Sequence, residues 1–381
     1  MNSVAILDKL VAFPTVSAES NLELIDFAAA FLRDLGARIE ILPNQQGTKA
    51  NLLATIGPDD VPGVLLAGHT DVVPVTGQSW SADPFRMREE GARLYGRGTA
   101  DMKGFLASAL NAAGQSASGT LATPLHLALS YDEEIGCVGV RPMLEMLAER
   151  GFRPRFCIIG EPTSMQIALG HKGKTAARAT CRGVAAHSAL APTGLNAIHL
   201  ACDLISRLRD RQADLVQHGH RDDSYEVPYT TIHVGKFQGG VALNIVPDHA
   251  VLDFEIRNLA QDDGAAILAA ISEDAAKLSA AHREEHPASG IAVEQITAYP
   301  GLEVPRDAEI VRFLSALLDA PALTKIAFGT EGGLYTGHLG VPAVVCGPGS
   351  MDQGHKPDEF VSVAQMALCD LTMSRLVDRL R

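Results

Sequence analysis

Along the first 170 residues the apolar positions change period repeatedly. "LELIDFAAAFLRDLG", "FLASALNAAG" and "VRPMLEMLAER" carry them at helical spacing, whereas "VLLAG", "LHLALSY" and "FCIIG" are short unbroken apolar runs of the kind found in strands buried on both faces. Strands separated by helical segments predict an α/β domain with a largely parallel core. From about residue 174 to 300 the pattern becomes period-2 in "KTAARATCRG", "YTTIHVGKFQGG", "HAVLDFEIRNL" and "IAVEQITAYPG", interrupted by the helical stretches "NAIHLACDLISRLRDRQADL" and "DDGAAILAAISEDAAKLSAAH". That β-α-β-β-α-β order is ferredoxin-like. After 301 the first style returns with "AEIVRFLSALLDA", "VPAVVCG" and "VAQMALCDLTMSRLVDRL". The expected fold class is therefore α/β: a discontinuous α/β domain with a mixed sheet over 1–173 and 301–381, and an inserted ferredoxin-like α+β domain over 174–300.

Composition narrows the possible partners. At 381 residues the chain is long for one core, which agrees with two domains. A formal net charge of −13 argues against nucleic acid or an anionic membrane as a general partner, since either would repel this field. The six cysteines are scattered with no C-x-x-C pair, so neither a disulfide framework nor a thiolate metal site is expected. The N-terminal "MNSVAILDKLVAFPTVSAES" places Asp8 and Lys9 within a helical pattern instead of the unbroken apolar stretch of a signal peptide, and a cytoplasmic location is expected.

Candidate chemistry lies at the strand ends. Open α/β sheets bind ligands outside the carboxyl ends of their strands. After "VLLAG" come His69 and Asp71; after "LHLALSY" come Asp132, Glu133 and Glu134; after "FCIIG" comes Glu161; and the loop after "VPAVVCG" carries His355. "GRGTADMKG" adds Asp101 ahead of a helix. Taken singly, each has an ordinary explanation: a solvated strand end for His69, a helix cap for Asp101, a charged helix start for the Glu pair, a turn for Glu161. Convergence on one sheet edge favours a metal site. Nitrogen and oxygen donors without thiolate suit zinc, with cobalt or manganese as alternatives. Five ligands, His69, Asp101, Glu134, Glu161 and His355, allow one bridging carboxylate and two terminal ligands for each of two ions. Glu133 is left over as a general base, and Asp71 is placed to accept the second ring N–H of His69. By contrast His218, His220, His282 and His286 follow polar helices and read as solvated, and His126 reads as a packed strand residue.

The motifs "GHTDVVP", "YGRGTADMKG", "SYDEEIGCVG", "IIGEPT", "GVAAHSALAPTGLNAI", "NIVPDHAVLDFEIR" and "GPGSMDQGHKPDEF" resemble, in order and over nearly the whole chain, those of the M20 co-catalytic zinc metallohydrolases. The resemblance implies that the α/β domain is catalytic and that the insert is a lid and dimerisation domain. It implies two zinc ions per subunit, bridged by Asp101, with Glu133 as acid/base and a cis peptide after Asp101. It further implies a homodimer in which His187 serves the partner's active site as an oxyanion donor, and substrate-carboxylate contacts from Asn244 and Arg257.

The implied reaction is hydrolysis of the amide of a small N-acyl amino acid. "FGTEGGLY" is similar to the family members acting on N2-acetyl-L-ornithine, an intermediate of arginine biosynthesis. Its Glu331, flanked by a glycine pair, reads either as a solvated loop carboxylate or as a charge aimed into the cleft at the ornithine ammonium. Other M20 amidases remain as alternatives: a succinyl-diaminopimelate desuccinylase, an aminoacylase or a carboxypeptidase-like enzyme. So does a non-catalytic binder of the same fold.

Overall fold

The structure, a computed structural model, describes residues 1–17 and 19–381. The chain divides into two compact units, Met1–Gly170 with Leu302–Ile326 and Thr330–Arg381, and His171–Gly301 with Ala327–Gly329.

The first unit is built on a mixed sheet of nine strands among the described residues. Its centre is four parallel neighbours in the order Leu125–Ser130, Val64–His69, Phe156–Ile159 and Ala343–Val345. Every residue of these four is buried, which is why the sequence shows unbroken apolar runs there and not alternation. Each buried Leu, Ile or Val contributes roughly 1.5–3 kcal/mol relative to exposure. Antiparallel strands Ala50–Ile56 and Arg38–Pro43 extend the sheet beyond Leu125–Ser130. The four parallel strands point their carboxyl ends the same way, and His69 stands opposite Ser130.

Helix Gly104–Ser116 packs against helices Ser3–Val11 and Val363–Leu380, with Phe105, Leu106 and Leu110 buried. Phe105 runs so close to the end of strand Phe156–Ile159 that a Cβ on Gly160 would fall 1.9 Å from its ring. Only glycine fits there, one residue ahead of Glu161. A small sheet joins Arg88–Glu90, Arg93–Tyr95 and Phe360–Ser362, setting Phe360 opposite Tyr95. Ser362 then caps the last helix, accepting from the Gln365 N–H at 3.2 Å.

The second unit is a four-stranded antiparallel sheet covered by two helices. Its strands run in the order Thr231–Gly239, His249–Asn258, Gly173–Arg182, Gly290–Tyr299. With helices Ala197–His218 and Gly264–Ala280 this is the ferredoxin-like β-α-β-β-α-β order. Ala177, Ala179 and Cys181 alternate toward the helices with Leu252, Phe254 and Ile256 beside them, and Leu200, Leu204 and Ile271 close the core from above. Arg178 and Asp253 pair on the opposite face at 2.7 Å. Asn196 and Asp263 cap the two helices through their side-chain oxygens. All six cysteines are free thiols, and no described helix is long and apolar enough to cross a membrane.

Candidate metal centre

The four parallel strands deliver their polar residues to one place in the first unit. His69 Nε2 lies 3.1 Å from Asp101 Oδ1 and 3.7 Å from Glu161 Oε1. His355 Nε2 lies 3.1 Å from Asp101 Oδ2 and 3.1 Å from Glu134. The two oxygens of Asp101 thus face two different ligand groups. Glu133 completes a further close set with His69 and Glu161, their donor atoms within 4.8 Å of one another. The peptide from Asp101 to Met102 is cis, and Asp101 is buried, its side chain 6 % exposed.

Electrostatics agree with a cation-binding role. Four carboxylates, those of Asp101, Glu133, Glu134 and Glu161, meet two imidazoles. Even with both rings protonated, two negative charges would remain uncompensated in a poorly hydrated place. The burial cost shows in the carboxyls: burial, then the Asp101 charge, pushes Glu134 up to about 7 and Glu161 well above the usual range. Burial raises Glu133 likewise, with Glu134, Glu331 and Asp101 adding to it against the opposing pull of His69. Burial would also raise Asp101, but hydrogen bonds from His355 and His69 outweigh it and hold that carboxyl below its usual value. Hydrogen bonds to Asp101 and Glu134 lift His355 to about 10. His69, whose burial pulls the other way, is raised well above the usual imidazole range by hydrogen bonds to Asp101 and Asp71 and by the Glu161 charge. Divalent cations among these oxygen and nitrogen donors would supply the missing positive charge. The groups whose donor atoms lie close enough to share an ion are His69, Glu133 and Glu161, and His69, Asp101 and Glu134, and such oxygen and nitrogen donors suit a divalent cation.

Asp71 meets the second ring nitrogen of His69 chiefly through its backbone carbonyl. The His69 Nδ1–H donates to the Asp71 backbone carbonyl at 2.9 Å, and the carboxylate is farther, at 3.4 Å. Two residues along the chain, the backbone carbonyl is the nearer acceptor. The carboxylate instead accepts from the Ser17 hydroxyl at 2.8 Å and from the backbone N–H groups of Glu133 and Glu134 at 3.1 and 3.3 Å. Ser17 has no motif around it to signal this.

Glu331 departs from the solvated-loop reading. It is not solvated: it stands immediately before helix Gly332–Leu339 at 1 % exposure, accepting from the Ser130 hydroxyl at 2.7 Å. Burial raises its carboxyl to about 7. Its Oε2 is buried without a hydrogen-bond partner among the described residues.

In the second unit His187 is exposed at the start of a short helical turn, where its Nδ1 accepts from the Ala189 N–H at 3.1 Å. That fixes the proton on Nε2, leaving the ring a donor outward. Asn244 lies in the neighbouring loop, its backbone carbonyl accepting from the Ser188 N–H at 3.0 Å, between the exposed Leu243 and Ile245. Arg257 is half-buried and already engaged, by Glu255 at 3.0 Å and the Tyr299 hydroxyl at 3.2 Å. One subunit does not bring Asn244 and Arg257 together as a carboxylate clamp. Strand His249–Asn258 separates them, and at about 3.3 Å per residue its span from His249 to Arg257 is roughly 26 Å.

Residues 65–379 match peptidase family M20/M25/M40. The chain belongs to that family. As an M20 protein it is a metal-dependent amidohydrolase. It is 33% identical to an acetylornithine deacetylase of Photorhabdus laumondii, over 98% of this chain and 96% of that protein. It is 35% identical to one of Klebsiella pneumoniae, over 94% and 92%. In fold it is similar to the M20 family metallo-carboxypeptidase of Sulfolobus solfataricus, with a TM-score of 0.80 at 18% identity over 99% of this chain and 98% of that one. A dinuclear metal-binding M20 peptidase of Bacillus subtilis superposes with a TM-score of 0.70 at 17% identity, over 99% and 97%.

Proposed function

We propose that the chain is an acetylornithine deacetylase: it hydrolyses N2-acetyl-L-ornithine to L-ornithine and acetate, a step of arginine biosynthesis in the cytoplasm, with two zinc ions per subunit that cobalt can replace. The observation that carries the reading is the Asp101 carboxylate shared between His69 and His355, each ring 3.1 Å from its own oxygen, in a chain about a third identical over nearly its full length to acetylornithine deacetylases.

His69 and Glu161 would hold one ion, Glu134 and His355 the other, with Asp101 between. Bound there, divalent cations supply Lewis acidity toward the acyl carbonyl and make water a nucleophile near neutral pH. Glu133 takes the proton of the attacking water and returns it to the leaving amine. Asp71 keeps Glu133 and Glu134 at their stations through their backbone N–H groups. Arg257 receives the substrate α-carboxylate by sharing its fork with Glu255. Glu331 reads the ornithine ammonium, a cation that would partner the lone Oε2 and offset the burial cost of the charge.

His187 and Asn244 enter from a second copy of the chain, in a homodimer formed through the inserted domain. Leu190, Val241 and Leu243 are 59%, 90% and 102% exposed around them, a concentration of apolar surface that a partner subunit would cover. From there the His187 Nε2–H would donate to the oxyanion.

Enzyme stripped with a chelator, reloaded with zinc or cobalt and offered a panel of N-acetyl and N-succinyl amino acids tests the reading. Activity should vanish on stripping, return on reloading, and rank N2-acetyl-L-ornithine first by kcat/KM. Preference for N-succinyl-L,L-diaminopimelate would replace this substrate with another; full activity after exhaustive stripping would end the metal reading altogether.

A further inference from the structure

His355 is the most exposed of the ligand candidates, its side chain 43% accessible, and its backbone sits in the left-handed region at φ +61°. A non-glycine residue keeps that conformation only where its surroundings fix it. Asp358, three residues on, is left-handed too, at φ +54°. Both are held by one short segment. Ser81 donates to Asp358 Oδ1 through its backbone N–H at 3.1 Å and its hydroxyl at 2.7 Å, and the Gln78 side-chain amide donates to the His355 carbonyl at 2.9 Å.

Gln78 has no freedom to turn its amide around. Its Oε1 accepts from Arg97 Nη2 at 2.6 Å and from the Trp80 indole N–H at 3.0 Å, so its NH2 must face His355. Arg97, 1 % exposed, gives its other terminal nitrogen to Glu359 at 2.6 Å. Glu359, equally buried, accepts the backbone N–H groups of Ala100 and Asp101 at 2.9 and 3.1 Å through its remaining oxygen. A continuous chain of hydrogen bonds therefore runs from the Asp101 backbone through Glu359, Arg97 and Gln78 to the His355 backbone.

We propose that Gln78 is a positioning residue for the Glu134–His355 ion: with Arg97 and Glu359 it locks the distance between the bridging carboxylate and the histidine that closes this half of the centre. The His69–Glu161 half does not depend on it, because His69 is part of a central strand and Glu161 follows another. The proposal rests on the reading of Asp101 as a bridge between two cations.

Gln78→Glu tests it. The carboxylate still accepts from Arg97 and Trp80 but has no N–H for the His355 carbonyl, and the half-buried site tolerates the isosteric change; Gln78→Ala is the second variant should the first misfold. Cobalt titration of stripped enzyme, followed by calorimetry and by the visible absorption of the bound ion, should show the tighter or looser ion of the His69–Glu161 half at its wild-type affinity. The other ion should be weakened about 10- to 100-fold, the usual effect of losing a hydrogen bond that orients a ligand. A merely structural residue would add its effect to that of a ligand, whereas Gln78→Glu combined with His355→Ala should bind cobalt no more weakly than His355→Ala alone. Wild-type affinity for both ions in a folded Gln78→Glu protein, equal weakening of both, or additivity with His355→Ala would overturn the proposal. Uptake of fewer than two ions by the unaltered enzyme would instead overturn the dinuclear reading beneath it.

Discussion

The Asp71 carboxylate accepts the backbone N–H of Glu133 at 3.1 Å, joining the end of one central strand to the loop that follows its neighbour. The same carboxylate takes the Glu134 N–H and the Ser17 hydroxyl, so it holds the proposed base and a proposed ligand together while its own carbonyl orients the His69 ring. Asp71→Asn replaces an acceptor oxygen with a donor facing N–H groups. Metal affinity should fall about 10- to 100-fold and kcat with it. A variant with unchanged metal binding and turnover would show that the Asp71 charge organises nothing.

Glu133 and Glu134 are adjacent in sequence, yet only Glu134 makes the 3.1 Å contact with His355. Glu133→Gln should retain both ions and lose turnover by roughly 100-fold or more, as expected when a positioned proton carrier is removed. Glu134→Gln should weaken one ion, visible in a titration before any assay is run. Near wild-type turnover in Glu133→Gln would reverse the assignment of the pair.

What the sequence made legible follows from how locally each feature is encoded. Unbroken apolar runs ending in His69, the Glu133–Glu134 pair and Glu161 could be read because a strand and the residue after it are contiguous in the chain. The period-2 alternation of residues 173–182 likewise declares a strand with one covered face. Glu359 lay within "GHKPDEF" and Arg97 within "YGRGTADMKG", but their pairing spans 262 positions and had no local signal. A second acidic residue in the His355 loop was the one available hint. For Glu331 the neighbouring glycines left the solvated alternative open, and they instead begin a buried helix. The separation of Asn244 from Arg257 is a matter of strand length, which the motif spacing does not reveal as a distance.

His187 offers an Nε2–H because its Nδ1 is occupied by the Ala189 N–H. His187→Ala should lower kcat about 100-fold or more while leaving metal content unchanged, the usual loss for one oxyanion donor. If the donor comes from the partner subunit, mixing His187→Ala with Glu133→Gln under subunit exchange should restore activity, since one mixed site holds both intact groups. Proven mixed dimers that stay inactive would confine His187 to its own subunit or to no catalytic part.

Glu331 combines full burial, one hydrogen bond from Ser130 and a carboxyl raised to about 7 by that burial. Because its folded value lies above its unfolded one, the folded state holds the extra proton, and stability falls as pH rises between about 4.5 and 7. Glu331→Gln has no such group to ionise. In metal-free protein it should match the wild type near pH 4 and exceed it above pH 7, by up to about 3 kcal/mol, measured as denaturant midpoints. Substrate choice gives the second half of the test. A carboxylate reading the ornithine ammonium should make Glu331→Gln lose more kcat/KM on N2-acetylornithine than on N-acetylnorvaline, by about 1.5–3 kcal/mol or roughly 10- to 150-fold. Equal losses on the two substrates, together with the pH-dependent gain in stability, would leave Glu331 as a buried carboxyl beneath Ser130 and would remove the feature that singles out ornithine among N-acyl amino acids.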